Sequence, residues 1–281
     1  MRRDVEALCA IGERNTLRPQ NLDAAAAFIA RELTAAGHRV EQQTYRVERD
    51  GVDAANVIVE LRGSTHPDEI VVIGAHYDSV IGTVGADDNA SGVAALLALA
   101  RRAASTKPAR TLRFVAFANE EPPHFQSHDM GSWQYAKRCH ERREHIAAML
   151  SLESIGYYDA RRGSQHYPAP LSLFYPDVAN FIAFASNLGS RALTSRCVDA
   201  FRARTKFPIE SASLPEAVTG IGWSDQWSFW QFGWPAMMVT DTAPFRNPHY
   251  HEPSDRPDTL DYARFAEVVE GLSAVVDEIV R

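Results

Sequence analysis

Three apolar runs in this chain each end at a group of acidic or imidazole side chains. They cover residues 70–73, 111–118 and 147–152, and their length and composition are typical of buried strands. An Ala- and Leu-rich helical pattern follows the first run, so strand and helix patterns alternate. Such alternation indicates an α/β fold, and these folds place their chemistry at the carboxyl ends of the strands. We therefore expect an α/β sheet with a functional site along that edge.

The side chains that follow the three runs include the donor types of a catalytic metal site. The segments AHYDS, GADDNASG, NEE and SLES supply them near the strand ends, and a later loop reads NPHYHEPSDRP. Imidazole combined with carboxylate, without thiolate, suits zinc or a related divalent ion in a catalytic rather than a structural site. The candidates in chain order are His76, Asp78, Asp87, Asp88, Glu120, Glu121, Glu153, His249 and His251.

Each of these features alone also has an ordinary structural explanation. His76 and Asp78 could lie in a surface loop, and GADDNASG could be a turn followed by a helix N-cap. On an extended backbone, only one of His249 and His251 would face a given site. The placement of several complementary donors at strand ends is what favours a metal site over these separate explanations.

The ordered segments HYDS, GADDNASG, NEE, SLES and PHYHEPSD resemble those of the co-catalytic dizinc aminopeptidases of the bacterial leucyl aminopeptidase and aminopeptidase Y type. The resemblance extends from about residue 56 to the C-terminal helix. It implies a zinc-exopeptidase-like, three-layer α/β/α sandwich with a mixed, mostly parallel central sheet. It also implies two bound zinc ions, although other divalent metals are possible. We expect residues 1–281 to form a single zinc-peptidase catalytic domain.

The resemblance also implies a role for each matching side chain. Asp88 would bridge the two metals, Glu120 would be the general base, and Asp78 would orient a ligating ring. Adjacent glutamates can divide the tasks of base and ligand, because the base must lie near the water but off the metal. The implied metal ligands are His76, Asp88, Glu121, Glu153 and His251.

The chain departs from the pattern of that family at three points. Glu153 stands where many members have Asp, and Gln226 follows Ser224–Asp225 where members commonly carry the sequence SDH. The stabilising tyrosine of some members has no assignable position here. No implied zinc ligand is missing.

Three functions are compatible with this sequence. The first is a dizinc aminopeptidase that acts on peptides with a free N-terminus. The second is another reaction on the same scaffold, either glutaminyl cyclisation or a different amide hydrolysis. The third is a binding module without catalysis. The intact pairs Asp87–Asp88 and Glu120–Glu121 favour the first function over the other two.

Composition narrows the class of partner. The net charge of −7, without a basic cluster that includes aromatic residues, argues against nucleic acid. Apolar stretches are far shorter than the roughly 18 residues of a membrane span. The charged N-terminal segment MRRDVEALCAIGERN does not resemble a secretory signal. We expect a cytoplasmic protein, or a secreted or periplasmic one if a leader was removed, and the oligomeric state stays open.

Local patterns predict several further elements. A helix is expected over residues 22–36, with Asn21 as its N-cap, and two strands over 39–47 and 56–61 with Gly51 in the turn between them. The remaining predicted elements are a helix over 178–189, a loop over 191–215 at the rim of the site, a strand over 236–239 and a long C-terminal helix that starts near Tyr262.

Overall fold

The computed structural model describes residues 1–281 and contains one eight-stranded sheet. The strands are β1 (Val40–Val47), β2 (Val52–Leu61), β3 (His66–His76), β4 (Arg110–Phe117), β5 (His145–Glu153), β6 (Ile182–Ser186), β7 (Ile209–Ser213) and β8 (Ala236–Thr240). Their order across the sheet is β1-β2-β4-β3-β5-β8-β6-β7. The four central strands β4, β3, β5 and β8 run parallel, and antiparallel pairings attach β2 and β6 to them.

Helices cover both faces of this sheet. They are α1 (Arg2–Ile11), α2 (Pro19–Ala35), α3 (Gly92–Ala103), α4 (Gly131–Glu141), α5 (Arg191–Arg204), α6 (Gln226–Trp230) and α7 (Tyr262–Ile279). The larger core, with 53 buried residues, joins one sheet face to α1, α2, α3, α5 and α7. A smaller core of 16 residues joins the opposite face to α4 and α6. This arrangement confirms the predicted three-layer α/β/α sandwich with a mixed sheet.

The parallel core of the sheet determines where the functional loops meet. Because β3, β4 and β5 are adjacent and parallel, their carboxyl ends lie at the same edge. His76 is in register with Phe117 on β4, and Gly74 with Ser151 on β5. Residues that follow these three strands therefore converge, although they are far apart in sequence.

Several local predictions are confirmed by the structure. The first two strands form an antiparallel pair, and Gly51 lies in the turn with a φ of 66°, in the left-handed region that glycine adopts without steric cost. The C-terminal helix begins at Tyr262, and β8 covers the predicted strand near residue 236. Helix α2 begins at Pro19, so the prediction of Asn21 as its N-cap is wrong. Proline is well suited to a first helical position because it lacks the amide hydrogen that would be unpaired there.

The predictions for residues 178–215 are also wrong. Residues 178–189 contain strand β6 instead of a helix, and residues 191–215 contain α5 and β7 instead of a continuous loop. Along β6, Ile182 and Phe184 enter the larger core and Ala185 enters the smaller one. A short apolar run of this kind fits both helix and strand periodicities, and pairing with β7 and β8 decides the outcome.

None of the helices combines the length and the apolar character needed to cross a bilayer.

Candidate metal centre

Four of the seven predicted catalytic and metal-binding residues lie at two strand ends and in the loop after a third strand. His76 and Glu153 are the last residues of β3 and β5. Glu120 and Glu121 come shortly after the end of β4. All four side chains are buried. The parallel register of these strands therefore places one imidazole and three carboxylates side by side at the sheet edge.

Asp88 lies between two imidazoles. Its Oδ1 is 3.2 Å from His76 Nε2, and its Oδ2 is 3.2 Å from His251 Nε2, which comes from the loop between β8 and α7. One further carboxylate joins each pair. Glu153 Oε2 lies 3.1 Å from His76 Nε2, and Glu121 Oε2 lies 3.2 Å from His251 Nε2. Two groups, each with one imidazole and two carboxylates, therefore share Asp88.

The atoms at the centre of these groups have the donor pattern of a metal site. Nε2 of His76, Nε2 of His251 and Oδ1 of Asp88 are buried and make no hydrogen bond within the protein. Buried polar atoms are nearly always paired, so three orphans in one cluster call for a ligand. With zinc–ligand bonds of about 2.0–2.2 Å, donors around a tetrahedral ion lie ~3.3 Å apart, close to the separations seen here. The residues present fit zinc.

Asp78 connects the two strand ends to each other. Its Oδ1 lies 3.3 Å from His76 Nδ1. Its two oxygens also accept hydrogen bonds from the backbone N–H groups of Glu120, at 3.1 Å, and Glu121, at 3.0 Å. The sequence predicts the first contact only. The second means that the same carboxylate positions both the ring of His76 and the glutamate pair.

Hydroxyl groups hold Glu153 in place. Its Oε2 accepts a hydrogen bond of 2.7 Å from Ser224, and its Oε1 accepts one of 3.0 Å from Ser154. Ser224 in turn lies 2.9 Å from the hydroxyl of Ser151 on β5. The longer side chain that replaces the aspartate of many relatives is thus fixed at its carboxylate and still reaches His76.

Glu120 lies beside the ligand groups without belonging to either. Its Oε2 is 3.9 Å from His76 Nε2, and the side chain is 8% exposed. Burial, together with the nearby charges of Glu153 and Glu121, raises the pKa of Glu120 well above its ordinary value. A carboxylate whose proton affinity is raised in this way is a stronger proton acceptor, as a general base requires.

The acids and imidazoles of the cluster shift each other's pKa values. Burial opposes charge on His76, but Glu153, Asp78 and Asp88 outweigh it and raise the pKa of His76 well above its ordinary value. For Asp88, the effect of burial is likewise outweighed by the neighbouring imidazoles of His251 and His76, and the pKa of Asp88 is lowered.

Two residues that sequence reasoning did not select hold the loop of Asp88. The carboxylate of Asp255 accepts hydrogen bonds from the backbone N–H groups of Asp87, at 2.9 Å, and Asp88, at 3.1 Å. Asp87 accepts from the Asn247 side chain at 2.7 Å. Asn247 and Asp255 belong to the same loop as His251, so one loop both provides a donor and positions the shared one. The acidic residue four positions after His251 is the only sequence signal of this role.

Arg14 supports the same region from the N-terminal segment. Its side chain is fully buried, and its guanidinium donates to the carbonyl oxygens of Tyr77 at 2.7 Å and Gly85 at 3.1 Å. A third bond goes to the carbonyl of Val84. Arg14 thus holds the backbone of the loop between His76 and Asp88 in place. No motif around Arg14 indicates this contact, because its partners are backbone atoms.

Two residues that the sequence analysis discussed, His249 and Gln226, lie outside the centre. His249 points away, with its Nδ1 2.9 Å from the hydroxyl of Ser254. Gln226 is buried, and its amide donates to the carbonyl of Ile221 at 3.0 Å.

Tyr250, a residue that the sequence analysis did not select, stacks on the ring of His251 with centroids 3.9 Å apart. Burial and the surrounding carboxylates raise the pKa of Tyr250, so its hydroxyl stays protonated.

A cavity of about 840 Å³, its open mouth included, adjoins the centre on the side of Glu153 and Tyr250. Most of its lining is apolar or aromatic, including Phe181, Trp223 and Phe245. The rings of Trp223 and Phe245 are stacked with an angle of 15° between their planes. A molecule bound in this cavity would contact Glu153, one of the predicted metal ligands.

Residues 56–276 match peptidase family M28. The chain belongs to this family. The resemblance to zinc aminopeptidases and the predicted class of enzyme, a zinc metallopeptidase, are thereby confirmed. The match includes every predicted metal ligand but begins after Arg14.

Relatives of this M28 peptidase support the same fold. It is 38% identical to the protein YfbL of Escherichia coli over 261 aligned residues. The alignment covers 90% of this chain and 79% of YfbL. The LapA aminopeptidase of Legionella pneumophila has a TM-score of 0.76 at 17% identity, covering 100% of this chain and 72% of LapA. The glutaminyl cyclase of Porphyromonas gingivalis has a TM-score of 0.74 at 18% identity, covering 99% and 96% of the two chains.

Proposed function

We propose that this M28 peptidase is a dizinc aminopeptidase that removes single residues from the free N-terminus of peptides. The observation that supports it most is the position of Asp88 between two separate groups, each with an imidazole and a second carboxylate. Two cations held by a shared carboxylate lie close enough to act on one substrate carbonyl. His76 and Glu153 would hold one zinc ion, and His251 and Glu121 the other.

The protein's own groups would divide the remaining work. Bound zinc ions would polarise the scissile carbonyl and lower the pKa of a coordinated water. Glu120, buried beside both groups, would accept a proton from the attacking water and return it to the departing amine. The protonated hydroxyl of Tyr250 would donate to the carbonyl oxygen as negative charge develops there.

The carboxylates of Glu120 and Glu153 would allow the protein to recognise the free amine of a substrate. Glu153 lines the cavity and Glu120 lies near it beside His76, so a substrate ammonium group at this end could be held by charge-assisted hydrogen bonds. Acetylation would remove both the charge and the donors. An N-blocked peptide would therefore lose on the order of 10²-fold in kcat/KM or more.

The proposal is tested on purified protein with metal analysis and a substrate panel. We expect about two zinc ions per chain after loading, loss of activity with a chelator, and hydrolysis of aminoacyl-p-nitroanilides but not of their N-acetylated forms. Efficient cleavage of blocked peptides, or release of residues from the C-terminus, would reject the aminopeptidase while leaving the metal centre in place.

Glutaminyl cyclase activity is the second candidate. It is favoured by the likeness to the Porphyromonas gingivalis enzyme, whose chain is covered almost completely. The two activities differ in product, because cyclisation of an N-terminal glutamine releases ammonia and leaves the peptide bonds intact. Mass spectrometry of a Gln-initiated peptide distinguishes them: a loss of about 17 Da indicates the cyclase, and a shorter peptide indicates the aminopeptidase.

A further inference from the structure

One row of residues crosses the floor of the cavity beside the metal centre. Glu153 on β5 is in register with Thr240 on β8, Thr240 with Ala183 on β6, and Ala183 with Glu210 on β7. All four residues line the cavity. Neighbouring strands are about 4.8 Å apart, so three steps separate the two glutamates by ~14 Å across the sheet. The cavity thus has a carboxylate at each end of its floor.

Glu210 is a half-buried carboxylate without a partner at the end of the cavity opposite Glu153. Its side chain makes none of the ion pairs or side-chain hydrogen bonds of the structure. Burial raises the pKa of Glu210, and Arg202 on α5 partly opposes this effect. The lining of the cavity contains no lysine, arginine or histidine. A carboxylate in such a place favours a cationic ligand.

Two tyrosines that line the cavity near Glu210 also favour a cationic ligand. Tyr167 and Tyr175 are stacked with ring centroids 5.7 Å apart. Their hydroxyls donate to the carbonyl oxygens of Pro176, at 2.7 Å, and Ser211, at 3.0 Å, which holds the rings in place. Aromatic faces attract cations and also pack against methylene groups. The wall therefore suits an aliphatic stem that ends in a positive charge.

We propose that this cavity receives the side chain of an N-terminal lysine or arginine and that Glu210 is the residue that selects its cationic head. The proposal rests on the aminopeptidase function: the substrate ammonium group would lie at the Glu153 end. The methylene stem would pass over Ala183 and Thr240 to reach the second carboxylate. A leucine or methionine side chain would fill the apolar part but leave the half-buried Glu210 unpaired.

The test compares lysine with norleucine, which keeps the four-carbon stem and lacks the charge. At pH 8, with zinc-loaded protein, we expect kcat/KM for lysyl- and arginyl-p-nitroanilide to exceed that for norleucyl-p-nitroanilide by at least about 10-fold. Glu210→Gln should lower the lysyl and arginyl values by about 10- to 100-fold, as expected for loss of a hydrogen bond between charged groups. The norleucyl value should change little.

Glu216→Gln is the matched control, because Glu216 is exposed, bonds Asn187 and lies outside the cavity. This variant should keep the lysyl-to-norleucyl ratio of the unchanged protein. Equal rates for the two substrates, or a ratio that Glu210→Gln leaves unmoved, would overturn the proposal.

A separate measurement distinguishes this failure from failure of the aminopeptidase function. If zinc-loaded protein hydrolyses none of the unblocked substrates, the proposed function is rejected. Calorimetric titration with L-lysine and L-norleucine then decides the role of the cavity. Tighter binding of L-lysine that Glu210→Gln abolishes supports selection of a cation by Glu210, and equal binding rules it out.

Discussion

At the scale of single residues, the centre depends most on Asp88. It is the only carboxylate within 3.2 Å of both imidazoles, whereas Glu153 and Glu121 each approach one of them. Asp78 and Asp255 in turn hold the backbone segments from which these donors extend. The roles of neighbouring residues are therefore distinct and can be separated by substitution.

Loss of Asp88 should disturb both metal sites, and loss of His251 mainly one. We expect Asp88→Ala to bind far less than one tight zinc ion per chain and His251→Ala to retain about one, measured by elemental analysis after dialysis. Replacing His249, which faces Ser254, should leave two. Equal zinc loss in the Asp88 and His251 variants would contradict a bridging role.

Substitutions of the adjacent residues Glu120 and Glu121 should have different effects on zinc binding and on kcat. Glu120→Gln should keep both zinc ions and lower kcat by about 10²- to 10⁴-fold, the usual contribution of a positioned general base. Glu121→Gln should weaken zinc binding, because a neutral amide oxygen is a poorer ligand for a dication, and excess zinc should partly restore its rate. A Glu120→Gln protein that binds two zinc ions and retains the original rate would rule out the proposed base.

At the scale of elements, the centre is held from the N-terminal segment as well as from the sheet. Arg14 follows α1 and bonds three carbonyl groups in the loop between β3 and α3. Helices α1, α2 and α3 are themselves tied by Asp4, Glu32 and Arg101. The segment that precedes the M28 match therefore supports the loop that carries Asp78 and Asp88.

Replacing Arg14 should weaken both the fold and the metal centre. Arg14→Met leaves the carbonyl oxygens of Tyr77 and Val84 without a donor and removes one of the two donors to Gly85, and we expect the free energy of unfolding to fall by about 3 kcal/mol or more. Zinc affinity should fall with it, because Asp78 and Asp88 flank the released loop. Urea unfolding and zinc titration measure the two effects. Arg18→Met, at an exposed position, is the control, and comparable behaviour of the two variants would refute the role of Arg14.

The ion pair between Asp4 and Arg101 should make the free energy of unfolding depend on pH in the acid range. Burial favours the neutral acid, but hydrogen bonds from Arg101 and Arg3 outweigh it and lower the pKa of Asp4 below its ordinary value. The stabilisation is thus present above about pH 4 and is lost as the pH falls through the lowered pKa. Asp4→Asn should reduce unfolding free energy by about 1–2 kcal/mol at pH 7 and by less at pH 3. Asp23→Asn, exposed on α2, serves as control; an equal deficit of the Asp4 variant at both pH values would disprove the linkage.

At the scale of the whole molecule, much of the layout follows from the sequence. The runs that became β3, β4 and β5 are predictable because they are apolar and end at polar donors, and parallel packing then forces those donors together. Strand β6 was not predictable, since its short run fits two periodicities and the choice depends on neighbours far along the chain. Arg14 was not predictable for a related reason: its partners are main-chain atoms that leave no trace in side-chain chemistry.

The spread of the donors along the chain has a consequence for synthesis. His76 and His251 are 175 residues apart in sequence, and Asp88 has a complete set of neighbours only when both are present. At translation rates of about 5–20 residues per second, the second imidazole is added roughly 10–35 s after the first. During that interval the nascent chain lacks His251, one of the two imidazoles of the proposed metal centre. If hydrolysis requires that centre, a growing polypeptide of this peptidase stays inactive on the ribosome until the C-terminal loop has been made.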